Sequence, residues 1–218
     1  MDPRWVRSWF GLTALCVLVG VVLSVLTGIN NAGGYFHSGV ARGLNTFAFF
    51  TIQSNLIVGG TSLLLAIRME RDSLIFSVFR LTGVIAILVT GIVYHVALAQ
   101  ILELHSWDQL GNQLVHFAVP LLAVVGWLAF GPRGRCSGRV ALWTVAFPVF
   151  WLVFTLVRGA FQPFYPYPFV DVTALGYPAV LLNCLWVAIL FLGLAAAATA
   201  LDRFMVRSRP GSPLPQSG

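Results

Sequence analysis

Six apolar stretches, separated by short polar or arginine-bearing turns, run along the chain at about residues 9 to 28, 47 to 67, 74 to 99, 111 to 130, 140 to 161 and 174 to 201. Each is close to the roughly 20 residues with which a helix crosses about 30 Å of hydrocarbon. The pattern predicts an all-α, polytopic membrane protein, a six-transmembrane-helix bundle over residues 1 to 206. The remaining residues, 207 to 218, are rich in Ser, Pro and Gly and read as a disordered cytoplasmic tail. The first stretch follows Arg4 and Arg7 as a signal peptide would. It is longer than a usual signal core and lacks a small-x-small cleavage site, so it reads as helix one.

Polar side chains interrupt four of the six stretches at nearly one depth: Thr51, Gln53, Ser54 and Asn55; Tyr94 and His95; Asn112 and His116; and Arg158. If the second stretch begins at about Phe47, a rise of about 1.5 Å per residue sets Thr51 roughly 6 Å deep. The same count from Gly111 inward, and from Ala99 and Phe161 backward, brings His116, His95 and Arg158 to the same plane within about a turn. Polar groups inside hydrocarbon are costly, so a convergent layer of them marks the place to look for function. Spacing assigns faces: Thr51, Ser54 and Asn55 share one, Asn112 and His116 share another, and Gln53 points elsewhere. Pro120, one turn beyond His116, removes a backbone hydrogen bond beside the layer. Arg80 is near enough to its helix end to snorkel, and Asn183 reads as a bond between helices.

Charge orients the bundle. All 13 basic residues are arginine, and ten of them sit at the N-terminus, after helices two and four, and after helix six. By the positive-inside rule both termini are cytoplasmic. The net charge of +6 is thereby accounted for without a nucleic-acid partner. Only 9% of residues are charged against 58% apolar, far from the roughly 25% charged of a soluble domain. Arginine without lysine, with abundant Ala, Gly, Val and Leu, suggests a GC-rich bacterial gene and hence a bacterial inner (plasma) membrane. Cys16, Cys136 and Cys184 offer neither a disulfide framework nor a CxxC pair.

Between helices five and six, Gln162-Pro-Phe-Tyr-Pro-Tyr-Pro-Phe-Val-Asp171 alternates proline with aromatics. It reads either as an interfacial cap or as a lid over the polar layer. The stretch from 29 to 46 holds Asn30, Asn31, Gly33, Gly34 and Gly43 and reads as a flexible loop. The first three helices do not repeat in the last three, which weighs against an inverted-repeat transporter.

In chemical terms, a threonine hydroxyl becomes a nucleophile when a base takes its proton, and neutral histidine is the usual base. Thr51 and His116 fill those roles. Asn112 can orient the His116 ring, and Asn55, Asn112 or Arg158 can donate to an oxyanion. The set suffices for acyl transfer. Against it, Thr, Ser and Asn in membrane helices commonly bond only to neighbouring helices, at roughly 0.6 to 2 kcal/mol each.

The run Phe49-Phe50-Thr51-Ile52-Gln53-Ser54-Asn55-Leu56, the segment Asn112-Gln113-Leu114-Val115-His116 with Pro120, and the loop from Tyr165 to Asp171 resemble the bacterial Pr-six-Pr family of six-helix membrane proteins. The resemblance extends from helix one to the end of helix six and implies a fold rather than an activity. A threonine early in helix two and an Asn-x-x-x-His segment followed by proline are also remotely similar to the androgen-induced-gene and androgen-dependent TFPI-regulating proteins. These are multi-pass enzymes that hydrolyse fatty acid esters of hydroxy fatty acids. That resemblance implies Thr51 as nucleophile and His116 as base. The chain departs from the pattern at Gln113, where a second histidine is common, and at Phe117 in place of threonine.

Three functional readings follow. The first is an intramembrane hydrolase of lipid or fatty acyl esters, working among membrane lipids without a cofactor. The second is a transporter or sensor whose layer binds a small solute or passes protons through His95 and His116, which titrate near neutral pH. The third is a metal or haem protein, with His95 and His116 as axial ligands or joined by His105 and Asp108 in a zinc set. A structural role beside another membrane protein stays open.

Overall fold

A computed structural model describes residues 3 to 31, 35 to 98 and 106 to 208. Among these, every regular element is helical: α1 (Pro3–Asn30), α2 (Gly39–Asn45), α3 (Phe50–Ile67), α4 (Leu74–Val93), α5 (Ser106–Gln113), α6 (Val119–Phe130), α7 (Gly138–Thr144), α8 (Ala146–Phe161) and α9 (Val172–Arg207). Wide π-turns, Tyr94–Leu98 and Leu114–Ala118, extend α4 and join α5 to α6. Taken through these junctions the helices form six spans long and apolar enough to cross a membrane, and the chain is a multi-pass integral membrane protein. Arg207, where the tail was expected to begin, is still helical, and residues 209 to 218 lie outside the described residues.

The spans bury narrow stripes and give the rest to lipid. On α1 the buried row is Val6, Phe10, Thr13, Val17, Gly20 and Val21, at spacings of three and four, while Leu12, Leu15 and Leu18 are exposed. In α8 the row is Trp151, Thr155 and Gly159. Burial is most extensive on α4, the central span. One face of it packs with α1, α3 and α6 around Val17, Val58, Ile87 and Val119; the other packs with α6, α7 and α9 around Leu81, Val84, Trp127 and Phe191. With no hydrophobic force between helices in lipid, this packing and buried hydrogen bonds hold the spans together.

At the end carrying both termini, the arginines and polar groups tie down the turns. Arg7 donates to the carbonyls of Ala66 and Ile67 at 2.7 and 2.9 Å, Arg135 pairs with Asp72, and Asp202 accepts from the Gly134 and Cys136 amides at 3.1 and 2.9 Å. Burial, reinforced by the Asp202 carboxylate, pushes the Cys136 thiol up to about 12, so it stays protonated.

Arg80 does not snorkel. It is 4% exposed, none of its three guanidinium nitrogens has a hydrogen-bond partner among the described residues, and its charge sits 5.1 Å from the Phe10 ring centroid. Cation–π attraction of about 2 kcal/mol does not offset a desolvation cost of several kcal/mol. Arg80→Met is therefore expected to stabilise the bundle by about 1 to 4 kcal/mol, read as a raised unfolding midpoint in detergent; a lowered midpoint would show that the charge is compensated.

Candidate functional site

Helix α3 begins without a side-chain cap of its own. A 3₁₀ turn, Thr46–Ala48, leads into extended Phe49, and Thr51 follows in the first turn, where the amide has no intrahelical acceptor. Tyr167, 116 residues away, supplies the partner: its hydroxyl accepts from the Thr51 N–H at 3.1 Å and lies 3.0 Å from Thr51 Oγ1. Trp151 Nε1 donates to the Ala48 carbonyl at 2.9 Å and fixes the approach to Thr51 from α8.

His116 reaches Thr51 from the π-turn ahead of α6. Pro120 has no N–H, so the His116 carbonyl lacks its usual helical partner, and the Val119 amide bonds five residues back to Leu114. The widened turn rests against Gly20 of α1, where an added Cβ would fall 2.8 Å from Val115 Cγ1. His116 Nε2 is 3.4 Å from Thr51 Oγ1, and Nδ1 is 3.2 Å from the Asn112 carbonyl. A carbonyl only accepts, so Nδ1 carries the proton of the neutral ring and Nε2 presents its lone pair to Thr51. The Thr51 proton is thus directed to His116, which makes Tyr167 the donor to Oγ1. The result is one ordered chain: Tyr167 O–H to Thr51 O–H to His116 Nε2, with His116 Nδ1–H to the Asn112 carbonyl. A length of 3.4 Å is long for the central bond, as is common before a substrate closes a site.

Several groups expected in the layer stand elsewhere. His95 is exposed and bonded through Nδ1 to the Gly91 carbonyl at 2.7 Å. Its neighbour Tyr94, also counted in the layer, faces inward: it is 8% exposed and stacks on His116 with centroids 4.1 Å apart. Gln53 donates to the Phe47 carbonyl at 3.0 Å, away from Thr51. Arg158 reaches Asn45 Oδ1 at 2.7 Å and lies over Phe36 and Phe164, so it clamps the loops instead of facing Thr51. Asn55 spends both amide hydrogens on the Thr51 and Val115 carbonyls, at 2.8 and 3.2 Å, and cannot also donate to an oxyanion. The Asn112 side chain donates to the Tyr94 hydroxyl at 2.5 Å, so its own part in orienting His116 is played by its carbonyl.

Tyr167 comes from the proline-aromatic segment, which folds inward. Tyr167 and Val170 are buried, Asn183 of α9 holds the Phe169 carbonyl at 3.0 Å, and Asp171 caps α9 through the Thr173 and Ala174 amides. Through Tyr167 the segment covers Thr51, while Pro168 stays exposed. No periodicity flags a tyrosine in such a run, and the sequence singles out the segment but not Tyr167.

Two cavities meet at the pair. One, of about 470 Å³, is lined by aromatic and other apolar side chains such as Phe36, Phe49 and Phe164 together with polar groups from the loops and helix ends, including Thr27, Arg42, Asn45, Asp108 and Asn112. The other, of about 160 Å³, lies between α4, α8 and α9 and is lined almost wholly by apolar side chains such as Val89, Leu152, Val187 and Phe191. Its lining includes Val149 and Leu192, both more than half exposed, so it opens on the lipid-facing surface. Thr51, Tyr94, Leu98, His116 and Tyr167 border both.

The described histidines do not converge as metal ligands. His116 turns its free nitrogen to Thr51, His95 faces outward, and His105 lies outside the described residues. No group of three His, Cys, Asp or Glu side chains meets among the described residues. Comparison of the chain with protein-family models, with curated proteins and with solved structures finds no match.

Proposed function

We propose that this membrane protein hydrolyses acyl esters, with Thr51 as nucleophile and His116 as general base. The observation that carries the reading is the Thr51 hydroxyl itself, aimed at a histidine lone pair where a vestibule that carries some polar side chains meets an almost wholly apolar cavity. An ester with an acyl chain has that same division: hydrocarbon for the lipid-facing chamber, and a polar leaving group for the vestibule.

In the proposed reaction Thr51 Oγ1 bonds to the ester carbonyl carbon, the carbonyl π pair moves to oxygen, and the Thr51 proton passes to His116 Nε2. Collapse restores the carbonyl and breaks the bond to the alkoxide, which leaves with the proton from His116. Water then attacks the acyl-threonine, gives its proton to His116, and releases the acid as Thr51 recovers a proton.

The resemblance to the Pr-six-Pr proteins is compatible with this arrangement, and the remoter similarity to androgen-induced-gene hydrolases names the same pair. With the arginine-rich end in the cytoplasm, the site would act in the outer leaflet of a bacterial plasma membrane. For solute or proton transport, polar groups would have to continue through the bundle. Beyond Asn55 the packed side chains of Val17, Val58, Ile87, Val119 and Ala123 come between the layer and the next buried polar groups, Thr13, Thr61, Ser62 and Arg80.

A fluorophosphonate probe tests the assignment, since it phosphonylates an activated hydroxyl. The expected result is labelling of the wild-type protein in membranes and none of Thr51→Ala. Equal labelling of the two, or a wild type that never reacts, would end the hydrolase reading.

A further inference from the structure

Building on that hydrolase reading, we infer that Tyr167 is the catalytic residue that stabilises the oxyanion. The role needs a donor near the reacting carbon, and the amides of Asn55 and Asn112 and the guanidinium of Arg158 are directed elsewhere. Tyr167 Oη is 3.0 Å from Thr51 Oγ1 and holds the only proton left to bridge those two oxygens, because the threonine's own proton is directed to His116. When Oγ1 attacks, it becomes an ester oxygen and a weaker acceptor. The new oxyanion is bonded to the same carbon as Oγ1, so it falls within reach of the donor already beside that atom. The Tyr167 hydroxyl then turns from Oγ1 to the charged oxygen without a rotamer change, and its O–H bond stays intact throughout.

Three features prepare the phenol for this. The Thr51 N–H donates into Tyr167 Oη, which polarises the O–H outward. The ring packs among aromatic neighbours, stacked on Phe169 with centroids 5.3 Å apart and perpendicular to Phe49 at 5.6 Å, so its hydroxyl is fixed before substrate arrives. Burial pushes its ionisation up to about 12, against smaller opposing contributions from Thr51 and Phe50, and the group stays a donor across the physiological range.

The experiment compares wild type, Tyr167→Phe, Phe169→Leu and Thr51→Ala on 4-nitrophenyl octanoate in detergent micelles. Thermal unfolding of each is followed in parallel. Tyr167→Phe keeps the ring and removes only the hydroxyl; it is expected to lower kcat by about 10² to 10³-fold with little change in KM. Phe169→Leu loosens the segment but keeps the hydroxyl, and should lose less than about tenfold, well short of the loss of an oxyanion donor. Wild-type or faster turnover by Tyr167→Phe, with Thr51→Ala inactive, overturns the tyrosine's role and leaves the hydrolase; the faster rate would mean that the phenol merely blocks the site. A loss in Phe169→Leu as large as in Tyr167→Phe would assign the effect to the segment's packing and also overturn it. A wild type without esterase activity, or an active Thr51→Ala, removes the hydrolase reading and this one with it.

Discussion

Replacing His116 with alanine is expected to lower ester hydrolysis by about 10³-fold or more, while His95→Ala keeps activity within a few-fold of wild type. Both histidines come from the same depth of adjacent spans, so a role for depth alone would affect them equally. The difference lies in where their nitrogens point. His116 Nε2 faces Thr51 Oγ1 and Nδ1 is anchored on the Asn112 carbonyl, so its loss leaves the hydroxyl without a base. His95 is bonded within its own helix and faces outward. Steady-state kinetics on the purified variants check the pair. Equal losses would favour the alternative in which both histidines titrate in a solute or proton site.

Gly159→Leu is expected to abolish most activity without touching any group that meets the ester. At Gly159 even a Cβ would lie 2.3 Å from the Tyr165 ring, which rests on the bare backbone of α8. A rigid aromatic ring so close cannot yield by tenths of an ångström, so the segment must lift. Tyr167 is two residues further on, and a shift of about 1 Å in a positioned group costs on the order of 10²-fold in rate. Overpacking should also cost about 1 to 3 kcal/mol in stability. Turnover and unfolding midpoint measured together check this: a stable, fully active Gly159→Leu would show that the segment's seat on α8 does not set the tyrosine.

The six spans were legible because long apolar runs leave the backbone no other way to satisfy its polar groups in lipid. Depth was legible too, since rise per residue is fixed; Thr51 and His116 were placed at one level and lie 3.4 Å apart. Rotation about the helix axis was not. Adjacent residues differ by about 100°, so of the neighbours Tyr94 and His95 only one could face the interior, and it is Tyr94, in line with buried Thr90, Gly91 and Leu98. Arg158 has the right depth and the wrong direction, because Asn45, Phe36 and Phe164 attract it to the loops. Arg80 was misjudged for a related reason: its guanidinium is buried and turned over the Phe10 ring, where snorkelling would have carried it to the interface. Helix two was expected to begin at about Phe47, yet the regular helix starts at Phe50, because the 3₁₀ turn and the extended Phe49 precede it. Tyr167 escaped notice because a proline-broken segment carries no period from which to predict which ring turns inward.

The bond from Tyr167 to the Thr51 amide joins positions 116 residues apart and has a consequence for biosynthesis. A chain made from its N-terminus delivers Thr51 to the membrane with the second span and His116 with the fourth, but completes the first turn of α3 only when the segment before the last span arrives. Until then the nucleophile lacks its cap and the proposed oxyanion donor. A nascent chain among lipid esters would thus stay inert until the segment between the fifth and sixth spans has been made.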